Sequence, residues 1–299
     1  MLSVSGLVGI LVLPCMLTFA PDVEAPGTPL TTAPWVQAQA TVEPDEPVQR
    51  LWQVLDMQTM MPILRQEAVN EAARLQAEGL IQGNGRSWPE VVAQIHHDAR
   101  LEALFRDGAS AALARVDGQL LAEGLEFYET ELGRRMVGLE TSARRALLQE
   151  EVEASATEDF ARARADGNPR AEQILRLIDG ADLVAPNVAS GLNASVAFSR
   201  GFAEGGGFDM PLTEQQMMAE AWAQQEQIEA DATNWLQGFL MLAYSPLTDT
   251  EMEDYIAFAT SPAGKILAQI LYGAFDRVFA RTSYDMGLAA ALRLQGRRL

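Results

Sequence analysis

Cysteine occurs once in the 299 residues, at Cys15, inside the first apolar run. The rest of the chain can therefore form no internal disulfide and offers no thiolate as nucleophile or metal ligand. Histidine occurs only as the neighbours His96 and His97. Adjacent helical positions point about 100° apart, and zinc needs further ligands sharing a face, so the pair is expected at the surface. A Ser-His-acid or Cys-His relay would have only these two imidazoles to draw on, which argues against acyl transfer. Lysine is as scarce: the 22 basic residues are 21 Arg and Lys265 alone, set against 41 acids for a formal charge of -19. The nearest thing to a basic cluster is Arg297 and Arg298, so binding to the polyanions DNA and RNA is disfavoured. Alternating β-branched runs long enough for a strand are missing as well.

What the chain does contain begins with an uncharged apolar stretch, VSGLVGILVLPCMLTFA, over residues 4–20, followed by a Pro-rich acidic stretch up to Pro47. The pattern predicts a signal peptide or short anchor over 1–25, a Pro-rich linker over 26–47 too poor in apolar residues to order itself, and a periplasmic protein. No Lys or Arg precedes the run, Pro14 interrupts it, and Ala20 and Ala25 are each followed by proline. An uncleaved anchor, or cleavage after Ala38-Gln39-Ala40, therefore stays open, with membrane contact confined to residues 4–20. Pro14 also occupies the small-residue position that should precede an acylated cysteine, which argues against a lipoprotein.

From Val48 onward apolar residues recur at spacings of three and four, predicting an all-α fold. The last long helix pairs Ile266 with Leu267, Ile270 with Leu271, Ala274 with Phe275 and Val278 with Phe279, a stripe wide enough to pack on two sides. Thr213 followed by Gln216, and Thr248 followed by Glu251, read as capping boxes. Gly83-Asn84-Gly85, Asp166-Gly167-Asn168-Pro169 and Gly205-Gly206-Gly207 mark loops. A shift of 126 residues lays Arg50-Leu51 on Arg176-Leu177 and Ala77-Glu78-Gly79 on Ala203-Glu204-Gly205. A shift of 131 lays Phe127 on Phe258, Gly133 on Gly264 and Arg134 on Lys265. A five-residue insertion reconciles the two, and the chain reads as two tandem, related helical-bundle repeats over 48–166 and 171–299.

Ser261-Pro262-Ala263-Gly264-Lys265 poses the sharpest choice. Serine before proline is what a helix start needs, since the hydroxyl accepts from a free N–H and proline loses no bond at the first position. A phosphate cradle would use the same N–H groups with Lys265, but the preceding strand and Gly-rich run of a P-loop are missing. The stretch LTDTEMEDYIAFATSPAGKIL over residues 247–267, with Phe258, Ser261, Pro262, Gly264 and Lys265, resembles the signature of a bacterial envelope family catalogued as domain of unknown function 2059. Phe127-Tyr128, Gly133 and Arg134 resemble a divergent second copy. The resemblance implies an all-helical exported protein and brings no catalytic residues and no cofactor.

Glu123, Glu126, Glu129 and Glu131, with Glu251, Glu253 and Asp254, read as solvated helix faces rather than an acid/base pair or a calcium site. Met217, Met218, Trp222, Trp235, Phe239 and Tyr244 read as core, the alternative being a groove for an apolar ligand or partner helix. The expectation is a non-enzymatic envelope module that binds a protein or an apolar ligand, without metal or cofactor. The rival is a carboxylate-dependent hydrolase with its site in the groove between the halves.

Overall fold

The computed structural model describes residues 46–81 and 85–296. The apolar leader, nearly all of the linker, Gly83, Asn84, Arg297 and Arg298 lie outside the described residues. Thirteen helices and no strand occur among the described residues, so the all-α expectation holds. In chain order they are α1 Glu46–Val54, α2 Met57–Ala77, α3 Trp88–Ile95, α4 Asp98–Leu113, α5 Gly118–Tyr128, α6 Glu131–Ala146 and α7 Glu150–Ala165. They continue with α8 Pro169–Gly180, α9 Val184–Glu204, α10 Glu214–Trp222, α11 Gln225–Tyr244, α12 Asp249–Ala259 and α13 Pro262–Leu294. The first helix starts at Glu46, two residues before the expected boundary, with that glutamate in its first turn where the helix dipole favours an anion. None of the helices among the described residues is long and apolar enough to cross a membrane.

Local chemistry explains most helix starts. Thr213 and Thr248 form the expected capping boxes with Gln216 and Glu251, and Ser87 forms a third with Glu90. Asn168 caps α8 with Pro169 at the first helical position, and Gly167 turns the chain there with φ 65°. Two non-glycine residues take positive φ, Asp56 at 48° between α1 and α2 and Asp182 at 51° between α8 and α9, a conformation a short polar side chain tolerates.

The hydrophobic cores do not divide at the loop after α7. One is built from α1 to α5 together with Leu267, Ile270, Ala274, Val278 and Met286 of α13. Its centre is Phe105 of α4, which meets Trp52 of α1 at 5.6 Å and Phe275 of α13 at 5.2 Å, both edge to face. The other gathers α8, α11 and α12 around Met136 and Ala143 of α6, with Phe160 and Ala163 of α7. A smaller cluster joins Val188 and Leu192 of α9 to Ala221 of α10 and to Ile228 and Ala232 of α11. Thus α13 packs on α4 and α5, while α6 packs on α11, so each half receives a helix from the other. The helix α13 packs on α4, α5 and α9, and of its paired stripe Leu267, Ile270, Ala274 and Val278 are buried while Ile266, Leu271, Phe275 and Phe279 are half-buried.

His96 corrects the expectation of two surface histidines. It ends α3 rather than sharing a helix with His97, and it is buried with Nδ1 3.0 Å from the Val92 carbonyl oxygen. Burial lowers its pKa to about 4, so the ring is neutral at pH 7 and serves the core. His97 is exposed at the start of α4, as expected.

Candidate functional site

Two helix junctions meet through a pair of stacked phenylalanines. Between α5 and α6 the Thr130 hydroxyl accepts from the Gly133 N–H at 3.0 Å; between α12 and α13 the Ser261 hydroxyl accepts from the Gly264 N–H at 3.1 Å. Both glycines are forced by close approach. A Cβ at Gly133 would overlap the Phe127 carbonyl oxygen, and one at Gly264 the Phe258 carbonyl oxygen. The two phenylalanines lie face to face, ring centroids 3.7 Å apart and planes within 6°. Phe258, Ser261, Pro262 and Gly264 therefore build a helix start and a packing contact. Lys265 is exposed and has no ion pair among the described residues.

Ser261→Ala is expected to lower stability by about 0.5 to 2 kcal/mol, through loss of the cap. Lys265→Ala should change it little, because that cation stands in the first turn, where the dipole disfavours it. Urea denaturation of the two variants checks both. A saturable rise in melting temperature with phosphate, lost in Lys265→Ala, would instead identify an anion site.

Beside the stacked pair lies a polar network that no local motif announces. The Tyr244 hydroxyl donates to Glu140 Oε1 at 2.5 Å, the Tyr255 hydroxyl donates to the same oxygen at 3.4 Å, and Tyr128 and Tyr255 face each other at 3.5 Å. Burial pushes the Glu140 carboxyl up and the two hydroxyls pull it back, while burial lifts all three tyrosines well above their ordinary range. The network joins α5, α6, α11 and α12 but contains one acid and no nucleophile other than phenols. Its chemistry is that of a satisfied buried cluster.

The acids singled out from sequence do not converge. Glu123 and Glu126 are exposed, Glu129 pairs with Arg50 at 2.8 Å, Glu251 caps α12 and contacts Arg135, and Glu253 holds Arg176 and Gln173. Acids do gather where α2, α6 and α7 meet. There Arg144 binds Glu67 with two bonds, 2.9 and 3.1 Å, and lies 5.3 Å over the Trp235 ring, while Arg74 binds Glu71 at 2.9 Å. Glu153 raises the count of negative charge at this place. Desolvation first, then Glu67, Glu150 and Glu71, raise its pKa to about 7.

A carboxyl whose pKa is raised on folding stabilises the folded state fully below its unfolded value of about 4.5 and loses that contribution as pH rises through about 7. Melting temperature should therefore fall between pH 5 and 8. In Glu153→Gln the fall should be smaller, with the variant the more stable at pH 8. Parallel melting curves at the two pH values test this; an identical pH dependence in both proteins would refute it.

A surface groove of about 500 Å³ runs between α7 and α11, lined by Thr157, Phe160, Ala161, Arg164, Ala165, Asn234 and Gln237. No carboxylate lines it. Among the described residues no group of His, Cys, Asp and Glu could hold a metal ion. The apolar residues expected in the core divide. Met217 and Tyr244 are buried, Trp235 and Phe239 stack half-buried at 4.9 Å, and Met218 and Trp222 are exposed on α10. Met210, in the loop before α10, is exposed as well. No protein-family model matches the chain, and no curated protein and no solved structure is significantly similar to it.

Proposed function

We propose that this is an exported, non-enzymatic protein of two related helical halves that acts by binding a partner in the cell envelope. The observation that carries the binding reading is the exposed apolar set Met210, Met218 and Trp222, in and just before α10. Met218 and Trp222 stand one turn apart on one row of α10, and adjoining exposed apolar side chains mark interaction surfaces. Against the hydrolase alternative, the groove between α7 and α11 has no acid, and of the acids around Glu153, Glu67 and Glu71 are each held by an arginine while Glu150 is exposed.

Kinship of the halves is supported by coincidences of geometry at the same two offsets. Asp56 and Asp182, the two positive-φ non-glycines, are 126 residues apart, as are the capping boxes starting at Ser87 and Thr213. The capped starts at Thr130 and Ser261 are 131 apart, and so are the overlapped glycines Gly133 and Gly264 and the stacked Phe127 and Phe258. At that offset the unbroken α13 answers to α6 and α7 together. Export is supported by the leader at residues 4–20, the proline-rich stretch after it and the lack of cysteine beyond Cys15.

Fractionation of the native cell followed by native mass spectrometry tests the reading. The expected result is chain released from the envelope with a second molecule retained. Chain confined to the cytoplasm, or a bare chain with a hydrolytic activity abolished by Glu153→Gln, would contradict it.

A further inference from the structure

Helix α10 buries one stripe, Met217 and Ala221, and leaves its neighbouring stripe uncovered. Met218 and Trp222 sit four residues apart on that stripe, 45% and 57% exposed, and Met210 just before the helix is 76% exposed. The corresponding face in the first half is not open. At the offset of 126, Val92 answers to Met218 and His96 to Trp222, and these are 1% and 2% exposed. The helix α3 is packed by α2 and by the C-terminal part of α13. Met286, Ala289 and Ala290 share the buried cluster of Trp88, Val91, Val92 and Ile95, and Arg293 donates to the Arg86 carbonyl. The matching segment in the first half, α7, turns away at residues 147–149 and packs on α11 and α8 instead. A helix thus covers one of the two related faces, and no helix of the described chain covers the other.

Charge says what kind of helix would fit. Between Gly201 and Gly264 the sequence has eleven acids and no Lys, Arg or His. Glu214 lies in the same row of α10 as Met218 and Trp222, and Asp209 and Glu226 are exposed at the two ends. Arg200 is the nearby cation, and it is already paired with Glu214. An apolar, methionine-bearing surface with an acidic surround suits an amphipathic helix with a basic outer face, and it repels anionic lipid and nucleic acid.

We propose that the outer face of α10 is the docking site for a cationic amphipathic helix of a partner protein, which packs on Met218 and Trp222 as α13 packs on α3. The assignment rests on the binding role and the kinship of the halves proposed above. It names the class of partner and the place where it sits.

The test uses the full chain and two labelled synthetic 18-residue helical peptides with the same Leu and Ala face, one carrying lysines and the other glutamates on the opposite face. Fluorescence anisotropy should show saturable binding of the lysine peptide, weakened by salt, and at least about tenfold weaker binding of the glutamate peptide. Met218→Ser combined with Trp222→Ser should weaken the lysine peptide by roughly thirtyfold, the loss expected of a central aromatic anchor. Those side chains are exposed, so the melting temperature should stay unchanged and folding is not in question. Three results would overturn the proposal: equal affinity for both peptides, lysine-peptide binding indifferent to the double variant, or a variant-sensitive dimer of the chain or attachment to phosphatidylcholine vesicles in its place. A chain that retains some other molecule in native mass spectrometry yet ignores the lysine peptide would sink this assignment and leave the binding role standing.

Discussion

Asp285→Ala is expected to lower stability by about 3 to 5 kcal/mol, the range for removing one partner of a buried ion pair. Asp285 is buried on α13 and accepts from Arg100 of α4, with Arg281 3.3 Å away one turn earlier on its own helix. Burial pushes the Asp285 carboxyl up, and Arg100 and Arg281 pull it back. Arg100 is itself largely enclosed and spends a second donor on the Ile95 carbonyl at 2.6 Å. Without the carboxylate, that guanidinium is left desolvated and unpaired, which costs more than the pair contributes. Urea denaturation measures the loss. Replacing both partners with apolar residues, as Asp285→Leu with Arg100→Met, should recover much of it, because neither charge then stays buried alone. A single substitution costing less than about 1 kcal/mol, the level of a surface pair, would show that α13 is not held to α4 in this way.

The second large effect is expected where α9 and α13 cross. Gly201 of α9 faces the Tyr284 carbonyl and Gly287 of α13 faces the Phe198 carbonyl, each with no room for a Cβ. Gly201→Ala or Gly287→Ala must push the two backbones apart along their longest shared contact, and each should lower stability by about 1 to 3 kcal/mol or more, as overpacking does. Gly138 supplies the opposite case. It lies inside α6 with nothing within 4 Å of an added Cβ, so Gly138→Ala should stabilise by up to about 1 kcal/mol through helix propensity. Melting curves of the three variants should separate by sign. Gly201→Ala behaving like Gly138→Ala would mean that the crossing is looser than described.

The helical class, the caps at Thr213, Thr248 and Ser261 and the apolar stripe of α13 are all legible in the sequence, because each depends on residues within a few positions of one another. Ser87 with Glu90 carried the same signal three residues apart. The burial of His96 is not legible locally, because α3 is packed between α2 and the distant α13. The Glu140 network is likewise invisible locally. Tyr128, Tyr244 and Tyr255 come from three helices, and the positions 131 residues beyond Tyr128 and Glu140 are Ala259 and Leu271, so comparison at that offset shows no second copy. Trp222 and Met218 looked like core for the same reason in reverse. Helical spacing makes a stripe apolar, and whether another helix covers it is decided by the fold, which leaves Met218 and Trp222 exposed.

Neither half owns a complete core, and native-state hydrogen exchange tests that most directly. If α6 and α13 are shared as described, amides of Leu101 and Phe105 in α4 and of Leu240 and Ala243 in α11 should exchange through one global opening, with equal free energies and equal denaturant dependence. Exchange of α8 to α12 through a separate opening of lower free energy, with α1 to α5 still protected, would contradict the interlocked arrangement.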